Sequence, residues 1–304
     1  HYAILSRDIE IVKLILPGIS NINTRTTTGE TSLHLAVNLQ QIPMAEYLIK
    51  NGINVNLQDY SHEFSALHYA VSINNKYLIE LLLDVSGNPN TQDVFGNTPL
   101  HYVMIEESYN LIDLFINSKK IITNLNLYNI DGKLPMHILL DNFNSSLSDN
   151  TMKYLILNSN LAIIDNDGNS CLFLLVGLGL WKKYKNELMQ KRLDIYSKNK
   201  KDLMVLDLVN DKDKNEFIEL IIDAYMYRLR NKQKEWGREW ENICSKEFMN
   251  VDPNELKKIF TGKIDSDDKL VKICRDKIRT YLFEMVEKIK DQIIKCAESS
   301  YPLA

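Results

Sequence analysis

The chain has 304 residues, of which 45% are hydrophobic and 25% charged, values typical of a globular protein with room for two cores or a stack with a smaller domain. The formal net charge of −4 disfavours a nucleic-acid-binding body, and the longest apolar run, 171–181, is too short to cross a membrane. The four cysteines form no CxxC pair, so we expect reduced thiols in a cytosolic or nuclear protein.

A four-residue box recurs along the chain at a nearly constant interval. It reads TSLH at 31–34, SALH at 65–68, TPLH at 98–101, LPMH at 134–137 and SCLF at 170–173, with a weaker copy, MVLD, at 204–207. Successive copies start 34, 33, 36, 36 and 34 residues apart. A fixed period near 33 residues predicts a stack of similar units, each of which contacts only its neighbours.

Each box predicts the start of a first helix. Its Thr or Ser suits an N-cap, Pro99 and Pro135 suit the first helical turn, and a Gly suits the turn before it. A second apolar helix follows and ends at signals such as Gly52. In the first, truncated copy we expect a second-helix face that ends at Gly18 and consists of Ile9, Val12, Leu14, Ile15 and Leu16.

The later copies depart from the pattern. A polar insertion, 141–150, separates the two predicted helices of the fourth complete copy, and loops of this kind often face a partner. The next copy has Phe173 in place of the box His, and Gly177 and Gly179 where helix is expected. Atypical terminal units are expected of a stack that has to end.

The boxes resemble those of the ankyrin-repeat family, whose unit is a β-turn and two helices. The resemblance covers residues 1–230 and implies an all-α ankyrin-repeat solenoid of about six to seven repeats, the first truncated. It also implies a protein that binds other proteins. Residues 231–304 show no such box and read as a small C-terminal helical domain.

Part of this C-terminal segment resembles an F-box. The resemblance implies that a ligase adaptor would contact Pro253, Leu256, Ile259, Phe260, Leu270 and Ile273. The segment departs from the motif at Asp252, in one extra residue between Phe260 and Ile264, and in the missing Trp near Ile278. The alternative is a helical cap that shields the last repeat.

Ankyrin repeats followed by an F-box-like segment resemble the poxvirus ankyrin host-range proteins. That layout implies a host protein held on the repeats, a Skp-type adaptor and a cullin recruited by the tail, and action in the host cytoplasm. Two alternatives stay open: a module that sequesters a host factor by binding alone, and an assembly protein that oligomerises through its repeats.

The repeated histidines raise the question of a metal site. His34, His68, His101 and His137 recur once per unit, so neighbours should lie ~10 Å apart, too far for shared coordination at ~2 Å. In the family this histidine bonds backbone of its own or the next repeat. No phosphate-binding, nucleophile-elbow or zinc-protease motif occurs, so we expect no enzyme, no cofactor, no metal and no small-molecule substrate.

Large side chains at positions that helix packing leaves free are the candidate partner-binding residues. We expect them at turn tips, on the concave side of first helices and, in the atypical fifth copy, at Trp181. Folding of some of them onto a neighbouring repeat is the alternative. A groove centred on Phe95 and Ile105 is the predicted binding site, and its candidate residues are Tyr60, Val94, Phe95, Ile130, Leu39, Ile73 and Ile105.

Overall fold

The computed structural model describes residues 1–144, 146–191, 193–195 and 197–231, in which every regular element is helical. The chain divides between Leu174 and Leu175 into two compact units. The α-helices are α1 (Tyr2–Leu5), α2 (Ile9–Ile15), α3 (Ser32–Asn38), α4 (Ile42–Lys50), α5 (Ala66–Ser72), α6 (Lys76–Asp84), α7 (Pro99–Ile105), α8 (Ile112–Ile116), α9 (Pro135–Asp141), α10 (Asp149–Asn158), α11 (Cys171–Gly177), α12 (Lys185–Leu188) and α13 (Asp211–Asn231). Short 3-10 helices occupy Leu16–Gly18, Tyr109–Leu111, Leu180–Lys182 and Val205–Leu208. The predicted all-α class is confirmed for these residues.

The first unit is a row of helix pairs whose first helices begin at the predicted boxes. Thr31, Ser65, Thr98 and Leu134 are the N-cap residues of α3, α5, α7 and α9, and α11 begins directly after Ser170. All four caps have extended backbone, as an N-cap requires. Neighbouring first helices are in contact along the row, α3 with α5, α5 with α7 and α7 with α9.

Three apolar side chains of each first helix form the core. They lie at the third, sixth and seventh positions counted from the box start, which share one face of an α-helix. In α3, α5 and α7 all nine are at most 2% exposed: Leu33, Ala36, Val37, Leu67, Ala70, Val71, Leu100, Val103 and Met104. Small residues at the sixth position, such as Ala36 and Ala70, fit the tight contact with the next helix.

Asparagine side chains link the segments that follow the second helices. Asn54 N–H donates to Oδ1 of Asn23 at 2.7 Å, and Asn88 N–H donates to Oδ1 of Asn56 at 2.7 Å. The same bond recurs at 2.6 Å between Asn124 and Asn90 and between Asn160 and Asn126. The NxN pattern of the sequence therefore gives a ladder of hydrogen bonds between successive repeats.

The first helix pair differs from the sequence prediction. Of the five residues expected on the buried face of α2 and its 3-10 extension, Val12 is buried, whereas Leu14 is 84% and Ile15 47% exposed. The prediction for Leu14 and Ile15 was wrong, because α2 contacts α1 and the following 3-10 helix and leaves these two side chains exposed.

The polar insertion lies between α9 and α10, as predicted, but it is shorter than expected. Helix α9 extends to Asp141 and α10 begins at Asp149, capped by the Ser148 hydroxyl oxygen, which accepts the N–H of Thr151 at 3.1 Å. Within the insertion, the side-chain amide of Asn144 donates to the carboxylate of Glu107 at 2.8 Å. The connection is thus anchored to the loop after α7.

The second unit contains the fifth copy from Leu175 onward and the weak copy at 204. Trp181 lies edge-to-face on Phe217 of α13, with ring centroids 5.0 Å apart, and an ion pair joins Lys182 to Asp213 at 2.6 Å. The weak box at 204 also begins a helix: Met204 is the N-cap of a 3-10 helix, and its backbone N–H donates to the carboxylate of Asp207 at 2.8 Å. The predicted division at residue 230 stays a prediction, since the chain from residue 232 lies outside the described ranges.

Candidate protein-binding surface

Backbone hydrogen bonds join the tips of successive turns. Tyr60 N–H donates to the carbonyl oxygen of Thr28 at 2.8 Å, Val94 to His62 at 3.1 Å, Ile130 to Phe95 at 2.9 Å and Asn166 to Asp131 at 2.8 Å. Together the turns 24–30, 58–64, 92–97, 128–133 and 164–169 and the helices α3, α5, α7 and α9 form what we name the turn-and-first-helix surface. Hydrogen bonds between backbone atoms therefore connect its successive turns.

The contact between the first two turns requires a glycine. Gly29 has a φ of +86°, and a Cβ atom added there would lie 2.4 Å from the backbone nitrogen of Tyr60. Both the left-handed conformation and the close approach exclude a side chain. The turn glycine of the sequence box therefore brings neighbouring tips together.

An acceptor side chain fixes the shape of each of the next four turns. Its Oδ1 accepts two backbone N–H groups of its own turn at 2.7–3.0 Å. The second oxygens of two of these carboxylates accept hydroxyl hydrogen bonds, from Tyr69 at 3.0 Å and from Tyr102 at 2.5 Å. The turns are thus rigid before any partner arrives. The acceptor residues are Asp59, Asp93, Asn129 and Asp165.

The structure exposes the predicted tip residues. Tyr60 and Ile130 are 66% and 63% exposed, and Val94 and Phe95 are 45% and 48% exposed. Ile105, predicted on the concave side of a first helix, is 42% exposed at the end of α7. Leu39 and Ile73, predicted on the concave side, are half-buried at the C-terminal ends of α3 and α5. Because the tips are linked by the backbone ladder, their apolar side chains form one row along the first unit.

An aromatic cluster on the same surface was not predicted from the sequence. The ring of Phe64 stacks on His68 with centroids 5.2 Å apart, and meets Tyr69 and Tyr102 edge-on at 5.7 and 5.4 Å. Both tyrosines occupy the fifth position from the box start, where the half-buried Leu35 stands in α3. That shared position was the available signal, but the packing of Phe64 on the next repeat could not be read from it.

The box histidines bond in both directions, as expected of this family. Nδ1 accepts the backbone N–H of the N-cap residue at 2.9–3.1 Å, so the ring proton resides on Nε2. Nε2 then donates to a carbonyl oxygen of the next turn region at 3.0–3.3 Å. Both ring nitrogens are used, so the structural role is confirmed; the acceptor residues are Leu57, Asn97, Lys133 and Asn169.

Burial keeps these imidazoles neutral. Loss of hydration is the largest cause that lowers the pKa of each box histidine, and it brings the pKa of His68 and of His101 to about 4. Protonation would place a hydrogen on Nδ1, where the N-cap N–H already donates. The frame of the surface therefore depends on neutral histidines.

Trp181 does not belong to the exposed set. Its indole is 3% exposed and packs against Phe217 in the second unit, so we remove it from the candidate binding residues. A large aromatic residue in an atypical repeat suggested exposure. The structure shows that it fills the core of its own unit instead.

The remaining predictions concern the ligase-adaptor contacts, metal sites and membrane spans. Pro253, Leu256, Ile259, Phe260, Leu270 and Ile273 lie outside the described residues. Within the described ranges no group of three or more His, Cys, Asp or Glu side chains could hold a metal ion. No helix of the described chain is both long enough and apolar enough to traverse a bilayer.

Comparisons with known proteins place these features in a family. The family model for ankyrin repeats in three copies matches residues 1–93 and 67–167, more than half of the chain. An ankyrin repeat protein of Acanthamoeba polyphaga mimivirus is 34% identical over 269 residues, which is 81% of this chain and 35% of the relative. An ankyrin repeat protein of fowlpox virus is 30% identical over 128 residues, 42% of this chain and 30% of the relative.

A cellular protein also matches the repeats. A Saccharomyces cerevisiae protein, whose name describes a 26S proteasome regulatory subunit, is 35% identical over 109 residues, or 35% of this chain and 47% of the relative. The chain thus spans less than half the length of each of these three relatives. From the match over more than half of its length, the repeated helix pairs and the box histidines that join them, the chain belongs to the ankyrin-repeat family.

Proposed function

We propose that this protein is a non-enzymatic adaptor that captures another protein on the turn-and-first-helix surface. The observation that carries the proposal is the row of exposed apolar side chains at the turn tips, which includes Tyr60, Phe95 and Ile130. Large apolar side chains on a rigid frame are typical anchors of protein interfaces. Because the hydrogen-bonded turns are already ordered, little conformational entropy is lost on binding.

The viral relatives support a host protein as the captured partner. The mimivirus and fowlpox ankyrin repeat proteins are similar to 81% and 42% of this chain, respectively. The host cytoplasm is the compartment we propose for this capture. The identity of the partner is not encoded in the repeat boxes, because the exposed side chains decide specificity.

The tail is proposed to deliver the captured protein to a cullin–RING ubiquitin ligase. Support comes from the F-box-like spacing in the sequence, in which Leu256 and Phe260 would contact a Skp-type adaptor. The second candidate function is sequestration of the host protein by binding alone. The observation that favours it is that, among the residues that the structure describes, the exposed partner-binding candidates all lie within the first compact unit.

Co-precipitation with the full chain from host cells separates these functions. Phe95→Asp with Ile130→Asp should reduce capture of the host protein by about tenfold, because charges would replace central apolar anchors. Leu256→Asp with Phe260→Asp should keep that capture and lose the Skp-type adaptor and cullin. Ile122→Asp is the matched control, since this residue is 86% exposed but lies in the loop after α8.

Each outcome decides between the readings. Capture of the same host protein without any ligase component, in the unaltered chain, would leave sequestration as the function. Undiminished capture by the Phe95 and Ile130 double variant would contradict the proposed surface itself.

A further inference from the structure

The turn-and-first-helix surface is strongly acidic as well as apolar. Its turns and helices contain eight carboxylates and two basic side chains. Glu63, Asp131, Asp141 and Asp167 are exposed, Glu30 is half-buried, and the buried carboxylates of three turns lie just beneath. Glu63, Asp131 and Asp167 form no ion pair with other described residues.

The two basic side chains of this surface are already engaged. The guanidinium of Arg25 donates to the carbonyl oxygen of Gln58 and lies 4.9 Å from the ring centroid of Tyr60. Lys133 pairs with Asp141 at 2.7 Å. Neither is therefore free to neutralise the remaining carboxylates.

The second helices show the contrast. Helices α4, α6, α8 and α10 and the loop 117–125 carry five acidic and five basic residues. The acidity of the first unit is thus concentrated on the surface that also exposes the apolar row. Charge complementarity therefore points to a cationic partner for this surface.

Resting on the proposed function, we infer that the captured partner presents a cationic segment in which Lys or Arg side chains alternate with apolar ones. The apolar residues contact Phe95, Ile130 and Ile105, and the cations pair with Glu63, Asp131 and Asp167. The Arg25–Tyr60 contact shows the geometry by which a guanidinium sits on an aromatic residue of this surface. Phe95 and Tyr102 offer further rings to the partner's cations.

The size of the surface sets the length of the segment. Five turns at ~10 Å spacing cover ~40 Å, which an extended chain crosses in about 12 residues. Attraction between exposed charges is screened by salt, so binding should weaken as ionic strength rises. The apolar contacts should keep part of the affinity at high salt.

Selection from a random peptide library tests the inference directly. The probe is a displayed library of about 12-residue peptides, selected on the immobilised full chain. We expect enriched peptides with a clear excess of Lys and Arg and with interspersed apolar residues. Enrichment of neutral or acidic peptides, or of none, would overturn the inference.

Charge-reversal variants place the binding on the surface. The best enriched peptide, made synthetically with a fluorophore, should bind Glu63→Lys/Asp131→Lys/Asp167→Lys at least about tenfold more weakly than the unaltered chain. Asp84→Lys is the control, because Asp84 is exposed on α6, and it should change Kd by less than about twofold. Equal Kd values for the triple variant and the unaltered chain would overturn the inference.

The inference and the proposed function can fail separately. If Phe95→Asp with Ile130→Asp abolishes host-protein capture while the triple charge variant binds peptides and host protein unchanged, the capture surface stands and the cationic partner falls. If the double apolar variant keeps full capture, the proposed function falls as well. Thermal unfolding of every variant checks that each one remains folded.

Discussion

Repeats that carry the box histidine and repeats that lack it hold their first helices differently. At His34, His68 and His101 the imidazole caps its own helix and also reaches a carbonyl 23 to 32 residues further along the chain. In the copy with Phe173, the Ser170 hydroxyl accepts the N–H of Phe173 at 3.1 Å. At Met204 the carboxylate of Asp207 supplies the capping contact at 2.8 Å. The capping contacts of these two copies stay within their own box.

The difference shows that the box residue has two separable tasks. Capping requires an acceptor near the helix start, which Ser and Asp also provide. Joining neighbouring repeats requires a buried donor on the far side of the same ring. A histidine does both only while it is neutral, so the coupling between repeats, on which a stack depends, is sensitive to protonation.

The largest expected effect is a loss of stability in acid, caused by the buried box histidines. The folded pKa of His68 and of His101 is about 4, below the ordinary 6.5, so the unfolded chain binds more protons between these values. The contribution of these neutral histidines to the free energy of unfolding is therefore fully present above about pH 6.5, and it decreases as the pH falls toward about 4. From pH 7.5 to about pH 5 the free energy of unfolding should drop by about 2 kcal/mol per histidine, about 4 kcal/mol for the pair. Urea unfolding followed by circular dichroism measures the drop.

Two variants assign this pH dependence. His101→Gln removes one titrating group, so the drop in the free energy of unfolding between the two pH values should become smaller by about 2 kcal/mol. His62→Gln is the matched control at an exposed position of the turn 58–64. A free energy of unfolding that is the same at both pH values would contradict the assignment to buried neutral imidazoles.

Removal of one ring tests its double role at neutral pH. His101→Ala leaves the Thr98 N–H and the Lys133 carbonyl oxygen without their hydrogen-bond partner. It also opens a cavity in the core, because the His101 side chain is 0% exposed. We expect a loss of about 3 kcal/mol in the free energy of unfolding by urea. His62→Ala is the matched exposed variant and should change it by less than about 0.5 kcal/mol. Similar losses for His101→Ala and His62→Ala would contradict the double hydrogen-bonding role of the His101 ring.

The cap that Asp207 provides in the second unit should contribute less to the free energy of unfolding than His101 does. Asp207→Ala removes the acceptor of the Met204 N–H from an exposed side chain, and N-cap losses of this type cost about 1 kcal/mol. Hydrogen exchange of the Met204 amide should become about fivefold faster. Lys201→Ala, at an exposed position of the preceding turn, should leave that rate unchanged. An effect as large as that of His101→Ala would mean that Asp207 also joins repeats.

The local features of this fold could be predicted from the sequence. A cap, a turn glycine and an i, i+3, i+4 core depend on neighbouring residues, so the boxes at 31, 65, 98 and 134 gave the correct helix starts. The exposure of Tyr60 and Phe95 followed because a turn tip has no packing partner within its own repeat.

The features that were missed depend on contacts between repeats. Phe64 reaches His68 and Tyr102, Trp181 turns onto Phe217, and Leu14 finds no buried place in the first pair. In each case the residue type fits both a buried and an exposed position. The outcome is decided by the side chains of another helix pair, whose register the box spacing does not specify.

The backbone hydrogen bonds at the turn tips hold the fold together without using the outward side chains, so those side chains are free to determine which partner is bound. Since Thr28, His62 and Phe95 contribute carbonyl oxygens to this ladder of bonds, their side chains can be exchanged without the loss of a rung. A lineage can therefore replace the outward residues one at a time, changing what is recognised while the scaffold persists. Duplicating a repeat would add one more rung and one more contact point to an existing site.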